Sequence, residues 1–323
     1  MKIKYVWVLG LLVLASCRPA NNVSPAVPQP ASNQDAELEN VLWDVNQQWL
    51  CSGPYEKSYK DCVEFRSKYW VDQFFEVLPW GEVLNKEEMV TTQTSGIAAN
   101  PAPGTGPHPD AFQLRAVYGD FAIASDHTNF RTADKSGNVA FTSNSKVLRL
   151  FVKENGTWRP AAAALVPIIP SPGILLMPPT IRSTTARKSP DEQLEKQLAE
   201  IDQRWMDSSD LNKRLDYIRN LFTDQWYEIL GWEPTENMFK STVLEVLPKL
   251  AATRKPGEGV FQDQFRLEAV FGDVALATDR RTRKWVNDKG QLMSTPHRSL
   301  LVFVKQNGEW KSAGGALVPI MTP

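Results

Sequence analysis

Apolar positions along this chain follow a helical period first and an alternating one afterwards, and the same sequence of patterns then returns. Leu38, Leu42, Val45 and Trp49 form one stripe of an amphipathic helix. Leu194, Leu198, Ile201 and Trp205 repeat that spacing. Ser189-Pro190-Asp191-Glu192 predicts the start of the second stripe, with Ser189 as cap, Pro190 in the first turn and Glu192 closing a capping box. A second helix is expected over 63–77 and again over 211–229, and a shorter third over 85–92 and 235–250. Loops rich in Pro and Gly, 98–109 and 254–259, end the helical part of each copy.

The remainder of each copy alternates. Strands are expected over 112–118 and 121–127, joined at Gly119-Asp120, and over 146–153 and 158–166, joined at Asn155-Gly156. Gly272-Asp273 and Asn307-Gly308 are the matching turns. Longer segments also recur. Asp72-Gln73-Phe74-Phe75-Glu76 returns as Asp224-Gln225-Trp226-Tyr227-Glu228, and Phe151-Val152-Lys153 returns as Phe303-Val304-Lys305. Order and length together indicate a duplicated domain rather than a short solenoid repeat. Helices before strands predict an α+β fold: two tandem cone-shaped domains, each with N-terminal helices packed on a curved antiparallel sheet.

These segments resemble the nuclear transport factor 2-like superfamily, including its SnoaL-like and calcium/calmodulin kinase association-domain-like branches. Val117-Tyr118-Gly119-Asp120-Phe121-Ala122 and Leu148 to Trp158 carry the resemblance, as do Val270 to Ala275 and Leu300 to Trp310. It implies a cone of helices over a bent sheet with a pocket at the wide end. It implies no single activity, because that scaffold hosts isomerases, cyclases, dehydratases and adaptors alike.

The chain start changes the picture by adding an address. Lys2 and Lys4 precede an apolar run over 6–15 that is too short to span a bilayer, and Leu14-Ala15-Ser16-Cys17 follows. This resembles a bacterial lipoprotein signal, implying cleavage before Cys17 and acylation of Cys17; an ordinary signal peptide with an incidental cysteine is the alternative. Acyl chains contribute about 0.8 kcal/mol per buried CH2, enough for stable anchoring when two or three are present. The expected layout is a signal over 1–16, a lipidated tether over 17–34, a first domain over 35–168, a Pro-rich linker over 169–189 and a second domain over 190–323. In a Gram-negative cell Arg18, in place of an aspartate, favours the outer membrane. The uncharged run 160–181 is broken by prolines and reads as a strand and linker, with Ile174 to Met177 between the domains, rather than as a membrane span.

Composition narrows the partners. A net charge of −1 offers no case for nucleic acid, and Arg280-Arg281-Thr282-Arg283-Lys284 reads as a solvated strand or turn. Besides Cys17 only Cys51 and Cys62 remain. A disulfide is the first reading of that pair and two free thiols the second. His108, His127 and His297 show no metal-ligand spacing, so no metal is expected, and no fingerprint for a cofactor is present.

Alternation places Ala122, Ala124 and Asp126 on one face, and Ala275, Ala277 and Asp279 on its copy. Lys146 and Arg298 begin the apolar face of the next strand. Asp126 is thereby expected to meet Lys146, and Asp279 to meet Arg298, either as a polar ligand floor or as ion pairs at a sheet edge. Trp80 and Trp232 lie where a pocket rim would be, and complete the ligand-binding candidates. Asp72 with Glu76, and Asp224 with Glu228, are expected on a helix as solvated or capping acids. The expected function is a non-catalytic, envelope-anchored module that binds a small molecule or an envelope protein. The alternatives are an isomerase or hydro-lyase with Asp126 or Asp279 as base, and a structural pseudo-dimer.

Overall fold

The computed structural model describes residues 33–79, 81–96, 106–133, 139–168, 188–207, 210–230, 237–253, 255–287 and 289–320. Cys17, Trp80, Trp232 and the segment 174–177 lie outside the described residues. Each half runs helix, helix, strand pair, helix, then four long strands. The first half comprises α1 (Asn33–Leu50), α2 (Tyr59–Tyr69), β1 (Phe75–Val77), β2 (Val83–Asn85), α3 (Lys86–Gly96), β3 (Gly106–Tyr118), β4 (Phe121–Ala133), β5 (Val139–Glu154) and β6 (Thr157–Pro167). The second comprises α4 (Glu192–Asp207), α5 (Leu211–Leu221), β7 (Phe222–Leu230), β8 (Met238–Phe239), α6 (Lys240–Thr253), β9 (Gly259–Phe271), β10 (Val274–Val286), β11 (Leu292–Gln306) and β12 (Glu309–Pro319).

Two six-stranded sheets result, in the order β2-β1-β6-β5-β4-β3 and β8-β7-β12-β11-β10-β9. The fold is α+β, as the patterning predicts. Both Asn-Gly turns form with positive φ at each central residue, 51° and 80° at Asn155-Gly156 and 53° and 82° at Asn307-Gly308. That geometry matches strand twist and explains why this dipeptide recurs.

Helix α1 is held by its stripe. Leu42 and Trp49 are buried, and the Trp49 ring meets Phe74 and Phe151 edge-on at 5.6 and 6.1 Å. Fully burying such side chains stabilises by roughly 1.5–3 kcal/mol each, well above what helix propensity contributes. After α1, Cys51 and Cys62 form a disulfide (Cα–Cα 5.9 Å) that ties its end to α2.

Three local expectations are corrected. The second helix ends at Tyr69 and Leu221, and 75–77 and 222–230 are strands. Their aromatic and β-branched residues run parallel to the last strand of each half, Phe75 opposite Ala162 and Tyr227 opposite Gly314, and burial on both faces outweighs helical spacing. The cap of α4 is Asp191, whose Oδ1 accepts from the N–H groups of Gln193 and Leu194, while Ser189 Oγ has no partner. The expected loop before 110 is already strand from Gly106. Pro107 and Pro109 are tolerated there because β3 is an edge.

The two sheets pack against each other through the faces that their own helices leave uncovered. One apolar core joins Leu148, Leu150 and Ala162 of the first half to Leu276, Leu300, Val302 and Ala316 of the second. Polar links frame it. Tyr118 and Thr223 hydroxyls are 2.8 Å apart, and Gln73 Oε1 accepts from the Val270 N–H at 3.0 Å. The Arg115 guanidinium lies 4.7 Å from the Tyr227 ring centroid. Among the described residues, no helix is long and apolar enough to cross a membrane.

Candidate functional site

Each cone encloses a buried charged cluster between its first helix and its sheet. In the first, Asp126 on β4 is 1% exposed. Its Oδ2 accepts from Arg149 Nε at 2.8 Å and Asn46 Nδ2 at 3.0 Å, and its Oδ1 accepts from Thr128 Oγ1 at 2.7 Å. Arg149 also donates to Thr128 Oγ1 at 3.1 Å and lies 4.6 Å over the Trp49 ring. Arg66 is buried next to this cluster and donates to the Trp49 and Leu50 carbonyls at the end of α1. Glu76 points the same way from β1. Burial raises its pKa, and the nearby Arg149 and Arg66 oppose that rise.

The second cone keeps the aspartate but rearranges its partners. Asp279 on β10 occupies the place of Asp126, and Arg281, two residues on, donates to it from the same strand. Arg281 Nη2 also reaches both oxygens of Asp202 on α4, at 3.0 and 2.9 Å. Gln262 Nε2 bridges Asp202 and Asp279 at 2.8 and 3.1 Å. Trp205 Nε1 donates to Asp202 Oδ1 at 3.2 Å. Glu228 on β7 completes the cluster and makes no hydrogen bond or ion pair among the described residues.

The repeat alignment shows what moved. Asn46 becomes Asp202, Thr128 becomes Arg281, and Arg149 becomes Leu301. The guanidinium has crossed from the third long strand to the second, and one amide has become a carboxyl. Asp202, Asp279 and Glu228 therefore share a single buried arginine, Arg281.

Charge balance follows from that count. Burial raises Asp202 to about 7, against the pull of Arg281 and with the push of Asp279. Burial likewise raises Glu228 to about 7, Arg281 opposing and Asp279 adding. Burial disfavours the Arg281 charge, but Asp202 and Asp279 more than offset it and hold its pKa up. His297, across from Arg281 in the β10–β11 ladder, is pushed down to about 4 by burial and the neighbouring Arg283 and Arg281. It is neutral at pH 7.

The expected acid–base pairs do not form. Register sets Asp126 opposite Val147 and Asp279 opposite Ser299, while Lys146 lies opposite His127 and Arg298 opposite Arg280. Lys146 and Arg298 thus project from the other face of each sheet, towards the inter-sheet side, because one residue of register reverses a side chain. Asp72 and Asp224 are fully solvated and each pairs with the first lysine of the third helix, Lys86 or Lys240, at 3.0 Å. Glu76 and Glu228, four residues on, are interior strand residues and not solvated helix acids.

Asn46, Arg149, Asp202 and Gln262 complete the clusters beyond the residues singled out from sequence, and Arg281, expected in a solvated strand or turn, is 3% exposed. Three of them carried a visible signal. Asn46 continues the Leu38–Leu42 row of the apolar stripe, and Asp202 continues Leu194–Leu198. Arg149 interrupts the otherwise apolar row Val147, Phe151. Among the described residues no group of three or more His, Cys, Asp or Glu side chains is arranged to hold a metal ion.

No protein-family model matches the chain, and no curated protein matches it. Solved structures similar to it include a nuclear transport factor 2-like superfamily protein from Salmonella enterica serovar Typhimurium, 18% identical, covering 40% of this chain and 93% of that one at a TM-score of 0.34. An NTF2-like protein of unknown function from Pseudomonas putida is 16% identical over 39% of this chain and 87% of its own, with a TM-score of 0.33. The association domain of CaMKII from C. elegans is 13% identical and covers 42% of this chain and 98% of its own at a TM-score of 0.35.

Proposed function

We propose that this chain is a lipid-anchored binding module of the cell envelope, tethered through Cys17, and that its second cone carries the recognition chemistry for a small molecule. One observation supports the choice of cone: three carboxyls surround the guanidinium of Arg281 there, whereas Asp126 and Glu76 of the first cone have two guanidinium groups near them, Arg149 and Arg66. A carboxyl near its midpoint at neutral pH can donate to a carbonyl or accept from an amine. The first cone has its Asp126 fully engaged by Arg149, Asn46 and Thr128. The motif resemblance to the nuclear transport factor 2-like superfamily is consistent with a ligand-binding cone.

The test is ligand-observed NMR of the full chain against an envelope metabolite pool. Saturation transfer to a compound, lost in Glu228→Gln and retained in Glu76→Gln, is the expected result; no binder, or one indifferent to Glu228→Gln, overturns the reading. Fractionation tests the anchor: Cys17→Ser moves the chain from membrane to soluble fraction.

The value near 7 at Glu228 and Asp202 also favours a second reading, an isomerase or hydro-lyase, since an acid–base group works best near its pKa. The proton carrier in that reading is Glu228, because Asp126 and Asp279 already accept from guanidinium groups. Turnover of a bound compound, abolished by Glu228→Gln with binding retained, would distinguish catalysis from binding alone.

A further inference from the structure

A cavity of about 360 Å3 opens at one end of the seam between the two sheets, on the face of the second sheet opposite the Asp279 cluster. Its volume is at the small end of the range for ligand pockets, about 300–1,000 Å3. The two halves of the chain both build it. Glu82 comes from the β1–β2 turn and Val83 from the start of β2; Phe265, Arg266, Glu268, Thr278 and Arg298 come from β9, β10 and β11.

The turn is seated by close contact. Gly81 has φ +85°, and a Cβ there would lie 2.5 Å from Ile320 Cγ1, so only glycine lets the turn approach the end of the second sheet. The Gly81 carbonyl accepts from Arg298 Nε at 3.2 Å, which fixes the arginine with its terminal nitrogens free. Those nitrogens make no other hydrogen bond or ion pair among the described residues. Burial and the neighbouring Arg280 lower the Arg298 pKa, with Asp279, Glu268 and Glu82 acting against that. The Glu82 carboxylate, lining the same cavity, is likewise without a hydrogen bond or ion pair among the described residues. Arg298 and Glu82 face one space and do not bridge it. Glu268 is already engaged by the Thr278 hydroxyl at 2.7 Å.

We propose that this inter-sheet cavity is a binding site for a small zwitterion of the amino-acid type. Its carboxylate would take the terminal nitrogens of Arg298, which suit a planar anion in two parallel bonds. Its ammonium would lie against Glu82, and Val83 and Phe265 would contact a short side chain. The site is separate from the Glu228 cluster, and it needs both halves of the duplication.

Calorimetry of the full chain with glycine and L-alanine tests this, with acetate and methylammonium as single-charge probes. Glycine is expected to bind more tightly than either probe, and Arg298→Gln and Glu82→Gln are each expected to weaken it at least tenfold. Glu228→Gln should leave glycine binding unchanged. Glu82 is a partly exposed turn residue, so Glu82→Gln keeps its melting temperature and reports on the site even where Arg298→Gln perturbs folding. Acetate binding as tightly as glycine, with no effect of Glu82→Gln, overturns the zwitterion in favour of a simple anion. Loss of glycine binding in Glu228→Gln places the ligand in the cone and also overturns the proposal, as does no binding by any amino acid.

Discussion

The first and second cones use the same aspartate and a different source of positive charge. Asp126 takes its guanidinium from β5 and Asp279 takes its own from β10. The aspartate therefore requires an arginine within reach, and the strand that supplies it is open to change. The cones differ in what surrounds that pair: an amide, Asn46, in the first and a carboxyl, Asp202, in the second. A scaffold position has been kept while the balance of charge around it has been altered, and burial raises two carboxyls of the second cone, Asp202 and Glu228, to about 7.

The largest test of this comparison is to take the guanidinium away and put it back from the other strand. Arg149→Leu copies the second cone's Leu301 and leaves Asp126 buried without its cation, which should cost about 3–5 kcal/mol in denaturant unfolding. Adding Thr128→Arg supplies the charge as Arg281 does, and should recover more than half of that loss. A double variant no better than the single would show that the two arrangements are not interchangeable.

The next effect is in pH dependence. Glu228 sits at about 7 in the folded chain and near 4.3, the ordinary glutamate value, in an unfolded one. Between those values the folded chain binds the extra proton, so stability falls as pH rises from about 4 to about 7 and stays lower above that. Glu228→Gln should then stabilise the chain at pH 8, by up to about 3 kcal/mol, and leave it unchanged at pH 4. Glu76→Gln should act in the same direction, with Arg149 and Arg66 both opposing the rise at Glu76. Melting temperatures across pH for the two variants decide it, and equal profiles would erase the distinction between the cones.

The smallest effect lies in what the cones share. Lys86→Ala and Lys240→Ala each remove a pairing with a solvated aspartate and a bond to a backbone carbonyl. They should lower the melting temperature slightly and equally, since exposed pairs contribute little. Unequal shifts would mean that this shared tie carries different loads in the two halves.

Much of the scaffold was legible because its signals are local. The stripes of α1 and α4 and the Asn-Gly turns depend on residues a few positions apart. The strands β1 and β7 were not legible, since their partners β6 and β12 are far along the chain and Phe75-Glu76-Val77 is short enough to suit either period. The site was half legible. Asp126 and Asp279 are the buried acids, but their partners turn on the β4–β5 and β10–β11 registers, which no local pattern sets. Reading Asn46 and Asp202 as polar breaks in an apolar stripe would have brought the helical side of each cluster into view.

The sheet-to-sheet seam has a further consequence. In a symmetric dimer of separate chains every contact occurs twice, so each interface residue must suit both copies. Here Arg115 covers Tyr227, while the matching positions hold Glu268 and Phe75. Fusion into one polypeptide releases that constraint. A substitution at Arg115 is felt once, at one end of the seam, and the opposite end is free to specialise independently.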